Sequence, residues 1–406
     1  MVGVKTDVVV IGAGPAGSLA ARQLARKGLS VTIFEEHKEV GRPVHCAGLV
    51  GIHGLRQIGV VPKAHVVIRK VAQSVFHAPN GVQLIFDKGV PHAFVLHRDL
   101  LDQQLVAEAQ AAGAILELET RVTRCIANSE GMRIVTVHKG SKREVTSRFV
   151  VNAEGIAGRL GVHQGIPQLN RADLLPALQY EVSNISLPPS AVHLYFNSRI
   201  ANKFFAWVIP TEDNRARIGL ATAYRNPRQA LEMFRNRNPI LASTKVERRF
   251  GGMVYTGGPI SRTISKRFVN IGDAAGQVKA TTGGGVVAGG NCAIMAAHHI
   301  AASLTSGTYH HHRLHEYERR WQRSWGRQLW LMAVLRRFIN VLENHELDTL
   351  FGNLQGASVR QLVETEGDID YQGKIITRAL KSPMVWKNTL LLFFKKARYL
   401  PGLIWG

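Results

Sequence analysis

Three glycines near the amino terminus are spaced to handle phosphate. In Gly12-Ala-Gly14-Pro-Ala-Gly17, Gly12 permits a tight turn, Gly14 lets a pyrophosphate approach the backbone, and Gly17 lets a helix pack close to a strand. Free amides at the start of that helix, at the positive end of its dipole, suit a diphosphate. Glu35 stands where a carboxylate accepts hydrogen bonds from the ribose hydroxyls of an adenosine half. A lone glycine triplet is a weak signal. Set between strand and helix, with its acidic partner at that distance, it predicts a dinucleotide site. The histidines His298-His299 and His310-His-His312 point to different faces of a helix and have no carboxylate or cysteine at ligand spacing, so no metal is expected.

The elements that must position these residues follow from the apolar pattern. Residues 7–11 form a continuous Val/Ile run, as expected of a strand buried on both faces. A helix then runs to Gly28, and Val31–Phe34 forms a second strand that delivers Glu35. Residues 60–94 are strand-rich, with Asn80-Gly81 marking a hairpin turn. A helix is expected over 99–112, strands over 114–118, 122–128, 134–138 and 149–152, and short strands and loops from 164 to 266. Gly272-Asp273 opens a glycine-rich stretch that runs into an alanine-rich helix, and beyond Thr308 the chain reads as helical and basic. The layout expected is an α/β fold. A discontinuous dinucleotide-binding domain (1–59, 97–163 and 267–307) carries an inserted antiparallel-sheet substrate domain (60–96 and 164–266) and a helical C-terminal region (308–406).

Composition narrows the partners. The 406 residues include 51 Lys and Arg against 29 Asp and Glu, a net charge of +22, which favours anionic surfaces. No base-stacking motif on a nucleic-acid fold accompanies that charge, so nucleic acid is not expected. Cys46, Cys125 and Cys292 are too few and too scattered for a disulfide framework and suit a reducing cytoplasm. A strand begins almost at once, so no signal peptide is expected, and no apolar run approaches the roughly 18–20 residues of a membrane span. The expectation is a cytoplasmic protein, peripheral on the cytoplasmic face of the membrane. Arg319-Arg-Trp-Gln-Arg-Ser-Trp-Gly-Arg and Lys387-Asn-Thr-Leu-Leu-Leu-Phe-Phe-Lys-Lys-Ala-Arg are amphipathic stretches of the kind that lie on an anionic interface.

Several segments resemble known flavoproteins. Gly272-Asp273, preceded by Phe268-Val-Asn-Ile271, is similar to the second FAD motif of the glutathione-reductase and aromatic-hydroxylase type, and Arg98 matches the arginine that opens a helix beside the cofactor there. Gly41-Arg-Pro-Val-His-Cys46-Ala47-Gly48, the run from Gly272 to Gly285-Val286, and Phe205-Ala-Trp207-Val-Ile209-Pro210 followed by Gly219 together resemble the geranylgeranyl reductase family, archaeal digeranylgeranylglycerophospholipid reductases included. The likeness spans residues 1 to about 330. It departs at Ile209, where an aromatic residue is usual, and before Gly285, where some relatives carry an acidic residue.

That resemblance implies a Rossmann-type FAD domain and an FAD-dependent reductase that hydrogenates isolated double bonds of geranylgeranyl groups in isoprenoid lipids. It implies cofactor contacts at Gly12, Gly14, Ala16, Gly17, Glu35, Cys46, Ala47, Gly48, Arg98, Val122, Asp273, Gly285 and Val286. Phe205, Trp207, Ile209 and Pro210 would bind the prenyl chain, with Cys46 a candidate catalytic group that tunes the site or helps supply a proton. No second glycine fingerprint marks an NADPH domain, so NAD(P)H sharing the flavin cleft, ferredoxin or a deazaflavin would supply electrons. Two rivals stand beside this reading. The segment 205–210 also resembles the Trp-x-Trp-x-Ile-Pro element of flavin halogenases, though its first tryptophan is absent, which keeps a flavin monooxygenase or halogenase open. The other rival is a basic membrane-binding flavoprotein without catalysis.

Overall fold

Three consecutive valines fix the centre of the fold. Val8, Val9 and Val10 are each fully buried in the strand Lys5–Ile11, which pairs in parallel with Val31–Phe34 on one side and Ser141–Asn152 on the other. Phe268–Asn270 and Ile115–Glu117 extend the parallel set at its two edges, giving the doubly wound order expected of a dinucleotide fold. The structure is a computed structural model that describes residues 5–129, 131–224, 226–305, 311–381 and 396. The helices Pro15–Arg26, Arg98–Ala111 and Val286–Thr305 are amphipathic or alanine-rich. Their small and aliphatic residues, among them Leu19, Leu24, Leu105, Ala293 and Ala297, join Val8 and Val10 in one core.

Among the described residues a second sheet of seven strands runs Lys245–Tyr255, Leu174–Ser183, Arg215–Ala221, Ala206–Pro210, Ala191–Tyr195, Gln73–His77 and Gln83–Asp87. All its pairings are antiparallel except the one between Ala191–Tyr195 and Gln73–His77. The Asn80-Gly81 turn joins the last two strands of that sheet, with Gly81 at φ +91°. Residues 60–96 do not all join it. Ala93–Leu96 instead lies between Val67–Val71 and Leu49–Gly51, pairing with both in a separate three-stranded sheet.

Strand periodicity decides what the seven-stranded sheet presents. Ala206 and Val208 turn toward the helix Pro227–Arg237 and pack with Leu231 and Phe234. Phe205, Trp207 and Ile209 turn to the opposite face. Of the C-terminal helices, His311–Trp321 packs against Val286–Thr305, while Arg327–Asn340, Asn344–Leu354, Ala357–Glu366 and Gln372–Lys381 close that face. A single wide turn, Gln322–Gly326, joins the first two and buries Trp325. Among the described residues no helix is long and apolar enough to cross a membrane. The amphipathic stretch 387–398, Lys396 apart, and His310 lie outside the described residues.

Candidate active site

The three glycines of the loop have different surroundings. Gly12 has φ +94°, and a side chain there would collide with the Ala153 carbonyl. A Cβ at Gly17 would strike the carbonyl of Gly12. Gly14 is different, because a Cβ built on it meets nothing within 4 Å and the residue borders a large cavity. Glu35 Oε2 accepts a hydrogen bond from the Ala13 N–H at 2.8 Å, and Oε1 accepts one from the His37 N–H at 3.1 Å. The carboxylate therefore braces the loop, a duty invisible in the sequence.

Four segments meet at one end of the cavity. Asp273 lies against Gly285, where a Cβ would come within 2.5 Å of Asp273 Oδ1. Burial raises the pKa of this carboxyl, against the opposing pull of the Arg98 cation. The Arg98 guanidinium donates to both oxygens of Asp102, at 3.0 and 3.3 Å, and touches the Cys46 thiol. Burial works against its charge, but Asp102 and Cys46 raise its pKa beyond the usual arginine value. Its Nε has no partner among the described residues. The Gly48 N–H donates to Cys46 Sγ at 3.4 Å, and Gly48 itself adopts φ +83°.

Sequence reading misses what holds the Cys46 loop. Arg217 is buried, donates from Nη1 to the carbonyls of Ala47 and Leu96 at 3.0 Å each, and from Nε to Glu181 at 3.2 Å. An arginine in a β-strand of a basic protein carries no signal of such a role. Arg217→Met is expected to loosen the loop. Buried hydrogen bonds to charged groups contribute about 1.5–3 kcal/mol each, so a drop in melting temperature and faster alkylation of Cys46 should follow. Unchanged alkylation kinetics would show that Arg217 does not position the thiol.

The cavity of about 1120 Å3 unites most of the residues read from the sequence. Gly14, Ala16, Cys46, Ala47, Gly48, Arg98, Asp273, Gly285 and Val286 border one part, and Phe205, Trp207 and Ile209 border another. Gly12, Gly17 and Glu35 support the loop from behind. Val122 is buried beside Val9, Ile11 and Phe34, and Pro210 is buried at a strand end opposite Ala216; neither borders the cavity. The apolar part is an aromatic wall. Phe204 and Phe205 stack at 4.2 Å, Phe205 meets Trp207 edge-on at 6.2 Å, and Trp207 Nε1 donates to Gln179 Oε1 at 3.0 Å. Phe196 and, from the C-terminal helices, Leu335, Phe338 and Ile376 complete it. The open space at Gly14, the unmet Arg98 Nε and the Asp273–Gly285 contact fit a flavin dinucleotide.

Comparison with known proteins agrees with that geometry. The family described as FAD binding domain matches residues 5–246. A digeranylgeranylglycerophospholipid reductase of Methanopyrus kandleri is 30% identical over 386 residues, 92% of this chain and 96% of that protein. One from Methanothermobacter thermautotrophicus is 32% identical over 366 residues, 88% of this chain and 94% of that protein. The chain belongs to the digeranylgeranylglycerophospholipid reductase family. As a member of that family it is an FAD-dependent oxidoreductase. A solved geranylgeranyl bacteriochlorophyll reductase-like protein from Thermoplasma acidophilum superposes with a TM-score of 0.86 at 22% identity, covering 97% of this chain and 99% of that one. A flavin-dependent brominase superposes with a TM-score of 0.71 at 17% identity, covering 98% of this chain and all of its own. At such identities the two likenesses establish the shared fold alone.

Proposed function

We propose that this enzyme hydrogenates the isolated double bonds of geranylgeranyl chains in isoprenoid glycerophospholipids. The observation that carries the reading is the single cavity that joins the FAD-binding loops to an apolar chamber walled by Phe204, Phe205, Trp207 and the C-terminal helices. Bound and reduced, FAD supplies a hydride. An isolated alkene has no neighbouring carbonyl to activate it, so the protein's contribution is positioning, exclusion of water and a proton for the second carbon. The aromatic wall holds the prenyl chain in register. Cys46, bordering the cavity beside Arg98, is the candidate proton source.

The test is anaerobic. Reduced, FAD-loaded protein mixed with digeranylgeranyl glycerophospholipid is expected to return to the oxidised flavin spectrum, and the fully saturated lipid should leave it reduced. Reoxidation at equal rates with both lipids would contradict the reading. NAD(P)H oxidation strictly coupled to oxygen consumption would favour the oxygen-dependent classes that share this fold. The electron donor, whether NAD(P)H, ferredoxin or a deazaflavin, is the reductant that restores the reduced spectrum under turnover.

The enzyme is also proposed to work at a membrane surface, since its substrate resides there. Arg319, Arg320, Arg323 and Arg327 are exposed together with Trp330, which is 51% exposed. Basic residues near anionic lipid contribute roughly 1 kcal/mol each. Flotation with anionic vesicles should succeed at low salt and fail as salt rises, while neutral vesicles should not be bound. Equal binding to both kinds of vesicle would contradict surface docking by charge.

A further inference from the structure

Besides Lys88 and Arg98, two cations stand in the wall of the cavity, Lys279 and Arg336, and the fold neutralises one of these two. Lys279 pairs with Asp370 at 2.5 Å, both side chains being buried. Arg336, on the helix Arg327–Asn340, is 2% exposed, and among the described residues no carboxylate pairs with it. Its Nε donates to the Ala280 carbonyl at 3.1 Å and Nη2 donates to that of Thr281. The rings of Phe204 and Phe205 lie 4.7 and 5.7 Å from the guanidinium carbon. Nη1 has no partner among the described residues. Carbonyl dipoles and ring faces attract a cation but do not cancel its charge, and burial pushes this guanidinium's pKa down to about 9. A buried, unneutralised cation is costly to keep unless an anion joins it. Two more groups that border the cavity, the Gln179 amide and the Thr282 hydroxyl, are able to donate and have an unmet atom, Nε2 and Oγ1.

We propose that Arg336 is the anion-recognition residue of the substrate cavity, taking the phosphate oxygens of an anionic prenyl substrate. The planar fork of guanidinium donors matches phosphate, which lysine binds only as a point charge. Because Arg336 grips Ala280 and Thr281, the anion is anchored on the loop that runs from Asp273 to Gly285. Gln179 and Thr282 are the second donors. This assignment rests on the prenyl-lipid reading above and adds which chemical group the cavity selects.

Oxidised, FAD-loaded protein titrated with four ligands tests it without turnover, the flavin absorbance change reporting binding. The ligands are geranylgeraniol, geranylgeranyl phosphate, digeranylgeranylglycerol and digeranylgeranylglyceryl phosphate. The native protein is expected to bind phosphorylated forms about tenfold or more tightly than their neutral partners. Whichever pair shows the preference identifies the source of the phosphate, a prenyl phosphate or a diether headgroup. Arg336→Gln should bind each phosphorylated ligand no better than its neutral partner while keeping FAD. If that variant fails to fold, Arg336→Lys takes its place and should show a preference several-fold smaller than native.

Three results would overturn the assignment. They are equal binding of neutral and phosphorylated ligands by the native protein, a full preference surviving in the variant, and a flavin spectrum altered by the substitution before any ligand is added. Failure of all four ligands to bind would remove the prenyl-lipid reading together with the anion site. Binding without preference would remove the anion site alone.

Discussion

Gly14→Val is expected to give a folded protein that cannot hold FAD. No atom lies within 4 Å of the position a Cβ would take at Gly14, so the free protein accommodates the side chain. That space borders the cavity where the dinucleotide's phosphates must approach the backbone. Displacing a phosphate from backbone amides removes charge-assisted hydrogen bonds at about 1.5–3 kcal/mol each, so FAD affinity should fall by at least about two orders of magnitude. Gly17→Val is the contrast. Its Cβ runs into the Gly12 carbonyl, which forces helix and strand apart, so that variant should lose its fold along with its flavin. Circular dichroism and flavin absorbance on the two proteins separate the outcomes. A yellow Gly14→Val protein would refute the phosphate assignment.

The second large effect concerns the aromatic wall. Trp207→Ala removes an edge contact with Phe205, frees the Gln179 carbonyl and enlarges a chamber that is already about 1120 Å3. A misplacement of about 1 Å at the reacting carbon costs on the order of 100-fold in rate. Turnover on a full-length geranylgeranyl lipid should fall by about that factor. FAD content should stay native, because the ring contact and the hydrogen bond of Trp207 are made with Phe205 and Gln179 and not with the glycine loop. Trp207→Phe keeps the aromatic face but loses the bond to Gln179, and its rate should lie between the two. If the alanine variant loses flavin in proportion to activity, Trp207 is a residue of the fold and not of the substrate chamber.

Much of the cofactor half is legible in the sequence alone, because each of its residues answers to a local rule. A tight turn demands Gly12, close helix–strand packing demands Gly17, and the acidic partner follows at the end of the next strand as Glu35. The same locality makes the alternation of Phe205, Trp207 and Ile209 readable as one face of a strand. What is not legible depends on long-range closure. Lys279 meets Asp370 from 91 residues away, and Arg336 reaches Ala280 across 56 residues. Nothing local distinguishes those cations from the many other basic residues of the chain. The three-stranded sheet is hidden for the same reason, since Leu49–Gly51 pairs with Ala93–Leu96 and no periodicity ties the two. The C-terminal helices read as a basic appendage, whereas their apolar sides close the chamber.

Reduced flavin in this cavity is proposed to add hydrogen across isolated prenyl double bonds. The most direct measurement is the mass of the lipid after a single anaerobic turnover of dithionite-reduced protein, freed of excess reductant, with digeranylgeranyl glycerophospholipid. The expected result is a gain of one pair of hydrogens per lipid molecule reduced, in step with the flavin oxidised. Recovery of the lipid at its original mass while the flavin is oxidised, or a product that carries added oxygen once air is admitted and none before, would contradict it.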